Sequence, residues 1–443
     1  MNIDEEYEDY FEAIDMNDGD ESTSVQAWQG SCFEPNRHNK LTKSKPKVTY
    51  EIEYVYGARM EDARKNVHIS SDGNIVYMAA CLGIVFDIKH NQQKIFGGGE
   101  IDLDDPKSAT HFNGHTDEIL CLELDDKRSM VASGQIGNKP YVFLWDANTG
   151  EKITRIRMNS GVKGISSIWF SPEGDKIACL DVTPDHCVWI YDIDTRRLLK
   201  VIQTDSNQKF DIDWSANPDG QNVIGVAGLK DVKFIKSSNT DFSDASIEFG
   251  ITNRKYINDH VCVCFDDYGN AYSGTRSGFL YKWAEHKDMY KIVLRQRSHL
   301  KCVHSIKYAN GNLLTGGGDW TIKVLSLDFT TLCILESQST VRSVDYHDGL
   351  IVYSTKNGGL FKYDFDMAKL EFKNSATLMK SHFAMQECGM SIFDDCVYTS
   401  GDDNQMIVRN YKTHDITGLY KLHNQKKEPN VSKSLLTNNK LIK

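Results

Sequence analysis

Cys262 and Cys264 in HVCVCF stand two residues apart, a spacing that on a strand puts both thiols on one side, as a metal ion would require. No His or Cys cluster completes a ligand set. The 11 cysteines lie singly, mostly within apolar runs such as AACLG, ILCLEL and KIACLDV, and none forms a Cys-x-x-Cys pair. They read as reduced core thiols. His115 in GHTDEI and His382 in KSHFAM could serve as bases or ligands if a partner group faced them. The glycine clusters GGGE (97–100) and GGGD (316–319) lack the Gly-x-x-x-x-Gly-Lys-Ser/Thr pattern that cradles phosphate, and they read as turns. There is no Gly-x-Ser-x-Gly elbow to raise a nucleophile. Asp266 with Asp267, and Asp394 with Asp395, lie in hairpin turns, where carboxylates are ordinary turn formers. These residues point away from an enzyme, and no catalytic, cofactor or metal site is assigned.

The elements that carry them must come from a chain of 443 residues, too long for one ordinary core. Two or three domains, or one large body built of repeats, are the available solutions. With 40% hydrophobic and 26% charged residues, the composition is that of a soluble globular protein. No stretch approaches the roughly 18 uninterrupted apolar residues of a membrane span, and the N-terminus is acidic where a signal or transit peptide is basic. The expected compartment is the cytoplasm, with no membrane partner. Residues 1–26 hold ten acidic and no basic side chains, a charge of −10 out of −11, so the rest of the chain carries −1. A nearly neutral body offers no phosphate-tracking field, and nucleic acid is not an expected partner. The stretch from Arg37 to Lys47 adds +5, and Lys421 to Lys443 holds six lysines against Glu428. The acidic segment reads as a solvated, disordered tail, or as one that folds back over basic surface until a partner displaces it.

Repetition fills the body. WFSPEGDKIACLDVTPDHCVWIYDIDT (Trp169 to Thr195) shows a strand, a tight turn, an apolar strand, a loop and an aromatic-rich strand ending in Asp. Phe86, Trp145, Tyr191, Ile235, Trp283, Leu325, Tyr363 and Arg409 take equivalent places, at spacings of 59, 46, 44, 48, 42, 38 and 46 residues. That is the period of four-stranded propeller blades. Helical spacing is not sustained anywhere. The fold class is therefore all-β: a β-propeller of degenerate WD repeats with seven or eight blades. Only YVFLWD keeps Trp followed by Asp, while KWAE keeps Trp283 alone. A turn carboxylate six residues before the strand end occurs at Asp185, Asp319 and Asp403. No unit holds both that Asp and the Trp, so the complete Ser/Thr-His-Asp-Trp network is expected nowhere. His115 and His382 fall where the repeat's histidine belongs and read as structural.

Upstream of the first hairpin, YEIEYVYGARMEDARKNVHISSDGNIVYMAACLGIVFDI resembles the HELP motif, the hydrophobic lead-in to the propellers of the echinoderm microtubule-associated protein-like family. ATHFNGHTDEILCLELDDKRSMVASGQIGNKPYVFLWDANTG resembles that family's first full blade, and VQAWQGSCFEP its short lead-in. The resemblance covers about residues 25 to 425 in order. It implies that Ile52, Tyr54 and Tyr56 form one alternating apolar face with Val55 between them, that Gly57 allows the following turn, and that Arg59 and Arg64 serve either as anchoring ion pairs or as tubulin contacts. Tyr54 stands where the family usually has Trp, Ala58 replaces an aromatic, Ala63 a Cys and Lys65 an Asn.

The resulting layout is an acidic disordered tail (1–26), a lead-in and basic linker (27–47), a HELP-like segment with the first blade unit (48–95), propeller blades (96–425) and a basic tail (426–443). In that last tail, Val431, Leu435, Leu441 and Ile442 resemble the start of a further repeat or a closing hairpin. The resemblance implies a microtubule-associated protein of cytoplasm and cytoskeleton, including the cilium or axoneme, with tubulin or another cytoskeletal protein as partner and no small-molecule substrate. Lys40, Lys43, Lys45 and Lys47 are the candidate contacts to acidic tubulin tails. The alternative is a general adaptor propeller without direct tubulin contact. The family's most direct binders use a trimerising coiled coil, and this N-terminus shows no heptads, so the expected binding is weak and salt-dependent.

Overall fold

The computed structural model describes residues 51–98, 114–138, 140–159, 161–215, 221–252, 256–383 and 387–421. The chain divides into two units, Met1–Glu53 and Tyr54–Lys443, and the second holds all the described strands. Among the described residues there is no α-helix, and all regular structure is strand. The strands form eight antiparallel sheets of four, each in sequence order.

The first strands of the eight sheets are β1 (Val67–Ile69), β5 (Ile119–Leu124), β9 (Ile165–Phe170), β13 (Lys209–Ser215), β17 (His260–Phe265), β21 (Val303–Ala309), β25 (Val341–His347) and β29 (Glu387–Phe393). Seven of them close a ring: β1 neighbours β5, then β9, β13, β17, β21 and β25 follow, and β25 returns to β1. Among the described residues the closure is by faces, without a shared strand. Val352, Leu360 and Met379 of the seventh sheet bury against Ile75, Tyr77 and Ile84 of the first. The backbone N–H of Ile69 donates to Asp345 Oδ2 at 2.8 Å, and Ser343 Oγ to the Val67 carbonyl at 3.4 Å.

An inner strand has one backbone edge with no further strand to pair with, and its buried N–H groups need acceptors. Short polar side chains from the neighbouring inner strand supply them. Ser167 Oγ accepts from Ile212 N–H, Asp211 from Val263 N–H, Asp213 from Phe265 N–H and Ser305 from Val344 N–H. These residues alternate with the aliphatic ones that face the blade interfaces. One register position shows the rule: Val67, Leu122, Ile168, Ile212, Val263, Ile306 and Val344 all stand opposite the same point of the second strand, and none is more than 3% exposed.

The eighth sheet repeats the register but not the burial. Met390 pairs with Thr399 as Ile306 pairs with Thr315, yet it is 71% exposed, and Ile392 and Phe393 beside it are also exposed. This sheet lies outside the ring of seven.

Candidate interaction surface

Four sheets carry a buried polar network joining their first turn to their second and third strands. His115 Nε2 meets Ser133 Oγ at 2.7 Å, Trp145 Nε1 donates to the same oxygen at 3.0 Å, and Gln135 occupies the place of the carboxylate, 2.9 Å from His115 Nδ1. His260, the first residue of β17, meets Ser273 Oγ through Nδ1 at 2.9 Å, and Trp283 Nε1 donates to the same oxygen at 2.8 Å. In the sixth sheet His299 bridges Thr315 and Asp319, each at 2.8 Å, and Leu325 takes the Trp position. In the eighth, His382 bridges Thr399 and Asp403, while Arg409 Nη1 donates to Thr399 where an indole would. Among the described residues, each network holds three of the four partners. Burial pushes His115 down to about 4 and His260 to about 3, so both imidazoles are neutral at physiological pH. They act as cross-braces between the strands. Spacing alone missed His260 and His299, because the segment from histidine to strand varies in length. Their signal is a histidine just ahead of an apolar strand, in NDHVCVCF and SHLKCV.

Asp185 is exposed and has no place in such a network. The acceptor of that turn is Asp181, at the end of the preceding strand. Its carboxylate takes the N–H groups of Thr183 and Cys187 and the indole of Trp189 at 2.7 Å. Buried to 1% exposure, it pre-empts the role expected of Asp185.

Residues 51–60 form no strand, contrary to the alternating strand face expected there. Ile52 is 48% exposed, not buried as the expected apolar face would have it. Gly57 has no left-handed φ, and a Cβ there would meet open space, so no turn depends on it. A single side chain imitates the missing strand partner. The Gln93 amide accepts from Val55 N–H at 2.7 Å and donates to Val55 O at 3.0 Å. Tyr54 packs on the cluster between the seventh and first sheets, donates to Asn91 at 3.1 Å and stacks on His414 at 3.9 Å. Burial and the neighbouring Tyr56 raise its phenol to about 12. The Tyr56 hydroxyl lies 2.8 Å from His414 Nδ1, and Arg409 sits over its ring. The two tyrosines thus tie the outlying eighth sheet to the first.

Arg59 is held by Asp62 and Glu118 within the propeller. Beyond it the chain turns into the axis. Arg64 donates to Val261 O at 3.0 Å and covers the Phe210 ring. Lys65, with φ at 47°, reaches Asp211 at 2.7 Å, donates to Val263 O and lies over Trp169. Burial alone would lower the Lys65 ammonium, but Asp211, Asp213 and Glu123 hold it above its ordinary range. The segment that begins on the first sheet therefore ends bonded to strands β13 and β17 across the ring. The basic residues expected at this segment are committed to the fold.

Cys262 and Cys264 are buried side by side in β17, with Cys262 Sγ donating to Val303 O. Among the described residues no group of three or more His, Cys, Asp or Glu side chains could hold a metal. Lys40, Lys43, Lys45 and Lys47 lie outside the described residues.

The family described as "Echinoderm microtubule-associated protein first beta-propeller" matches residues 109–363, and the HELP motif matches residues 45–84. This chain belongs to that family. Among curated echinoderm microtubule-associated protein-like and ciliary WD-repeat relatives, the ciliary WD repeat-containing protein ctxp80 of Euplotoides octocarinatus is 33% identical over 422 residues, 95% of this chain and 57% of the relative. Echinoderm microtubule-associated protein-like 4 of Mus musculus is 23% identical over 305 residues, covering 64% of this chain and 29% of the relative. Echinoderm microtubule-associated protein-like 1 of Homo sapiens is 22% identical over 285 residues, covering 62% and 32%. The chain thus spans little more than half of one relative's length and about a third of the others'. The expected family and the degenerate WD propeller agree with these matches.

Proposed function

We propose that this chain is a microtubule-associated WD-repeat protein that docks on tubulin or an axonemal partner through its propeller, in the cytoplasm and cytoskeleton, including the cilium. The observation that carries the reading is membership of a microtubule-associated propeller family, joined to similarity over 95% of the chain to a ciliary WD-repeat protein. The propeller acts as a rigid scaffold in this reading, with no chemistry of its own. Its polar networks and axial charges are spent on internal bracing, which leaves turns and linkers to meet partners.

Lys40, Lys43, Lys45 and Lys47 engage acidic tubulin tails, while the ten carboxylates of residues 1–26 oppose an acidic lattice. Co-pelleting with polymerised tubulin at low salt tests these roles. Removing residues 1–26 should increase the pelleted fraction, and changing the four lysines to Gln should reduce it. Protein that stays in the supernatant with and without the tail defeats the direct-binding reading in favour of the adaptor.

A further inference from the structure

Four turns joining second and third strands share one backbone geometry. The N–H groups of Gly278, Trp320, Gly358 and Asn404 donate to the carbonyls of Thr275, Gly317, Thr355 and Gly401, three residues back. All four have left-handed φ, at 85°, 65°, 74° and 55°. Glycine and asparagine suit that conformation, and a large aromatic does not. Trp320 nevertheless holds it, with its carbonyl accepting from Ser337 N–H as Gly278 and Gly358 accept from Ser298 and Ser381. The residue is 52% exposed. A fixed backbone thus presents an aromatic ring to solvent at a place where the fold is better served by glycine.

Leu300 stands beside it, 74% exposed, with its N–H donated to Asp319 Oδ2 at 2.9 Å. Cations flank the pair. Arg297 donates to the Leu300 carbonyl at 3.0 Å, and Lys323 donates to the Ser298 carbonyl. Exposed Lys301 lies against Gly318, where an added Cβ would come within 3.2 Å of it. Asp319 is turned onto His299, Thr321 and the Leu300 N–H, and Glu336 lies across the strand pair from Thr321.

We propose that Trp320 and Leu300, with Arg297, Lys301 and Lys323, form a docking patch for an acidic peptide segment that carries an aromatic or aliphatic side chain. Rigid, half-exposed Trp with neighbouring cations is the composition of a binding hot spot, the ring taking the apolar side chain and the cations the carboxylates. This rests on the microtubule reading and deepens it, by giving acidic tubulin tails a second contact at this turn beside that of the basic linker.

The test is fluorescence anisotropy of a labelled oligoglutamate peptide ending in tyrosine, titrated with the full chain at low salt, alongside the same peptide ending in serine. Trp320→Gly removes the ring and relaxes the turn, so its melting temperature should equal or exceed the wild type's. It should bind the tyrosine peptide about tenfold more weakly or worse, a loss of about 1.4 kcal/mol. Lys301→Glu should weaken both peptides, and the serine peptide should bind the wild type less well than the tyrosine peptide. Equal binding by Trp320→Gly and wild type, or binding of neither peptide by the wild type, overturns the patch. Wild-type pelleting with microtubules alongside a silent Trp320→Gly variant leaves the functional reading standing. Trp320-dependent peptide binding without pelleting supports the patch and removes tubulin as its source.

Discussion

Arg128 and Asp345 fasten the seventh inner strand to the first and second sheets. The guanidinium grips both carboxylate oxygens, at 2.7 and 3.0 Å, and also donates to the carbonyls of Ile69 and Tyr346. Burial alone would raise the Asp345 carboxyl, but Arg128 and Lys307 overcome it and hold it well below the usual carboxylate range. Asp345→Asn should cost about 3–5 kcal/mol at neutral pH, because it leaves Arg128 buried without its counter-charge. With a depressed folded pKa, the stabilisation is present above the unfolded value, about 3.9, and is lost as pH falls through the folded one. Denaturant melts from pH about 7 down to about 2 should therefore show a shallower acid loss in the variant than in the wild type. Legibility at this scale followed local spacing. Asp319 and Asp403 are read from a fixed distance to the strand end, and each accepts from a histidine. Asp185 has the same spacing and fails, because Asp181 already fills the turn from the strand side. No single-sequence rule reveals that Gln135 can stand for a carboxylate or Arg409 for an indole.

The strands themselves were legible because apolar alternation and turn residues repeat at blade spacing, and the eight strand ends read from sequence all fall in or at the close of third strands. The segment 51–60 departs from its sequence pattern for a related reason: its alternation is real, but the Val55 backbone pairs with the side chain of Gln93 and not with a strand backbone. Gln93→Ala leaves the Val55 N–H and carbonyl without these partners and should lower stability by about 1–3 kcal/mol, measured by chemical denaturation. A sharper comparison uses the shared register of the sixth and eighth sheets. Ile306→Ala should cost about 2–5 kcal/mol, the price of a core cavity. Met390→Ala, at the matching but exposed position, should change stability by less than about 0.5 kcal/mol. A large loss at Met390 would mean that its face is covered in solution.

Seven sheets close the ring and an eighth stands outside it, a distinction the spacing could not make, since the eighth unit keeps the same period and register. Ring membership is decided by which faces meet, and the faces of β25 and β1 meet directly. The lead-in segment crosses this ring at its axis through Arg64 and Lys65 and binds the eighth sheet through Tyr56, so one short stretch secures both the closure and the outlier. Such a body suits a scaffold that meets partners at its turns and linkers. In the proposed reading, contact with an acidic lattice is weak and electrostatic, because a nearly neutral body carries a basic linker beside a repelling acidic tail. The most direct test is a two-component pelleting assay of the purified chain with polymerised tubulin across a salt series. Measurable pelleting at low salt, falling steeply as salt rises, is the expected result. Supernatant protein at every salt concentration, or pelleting that ignores salt, would contradict it.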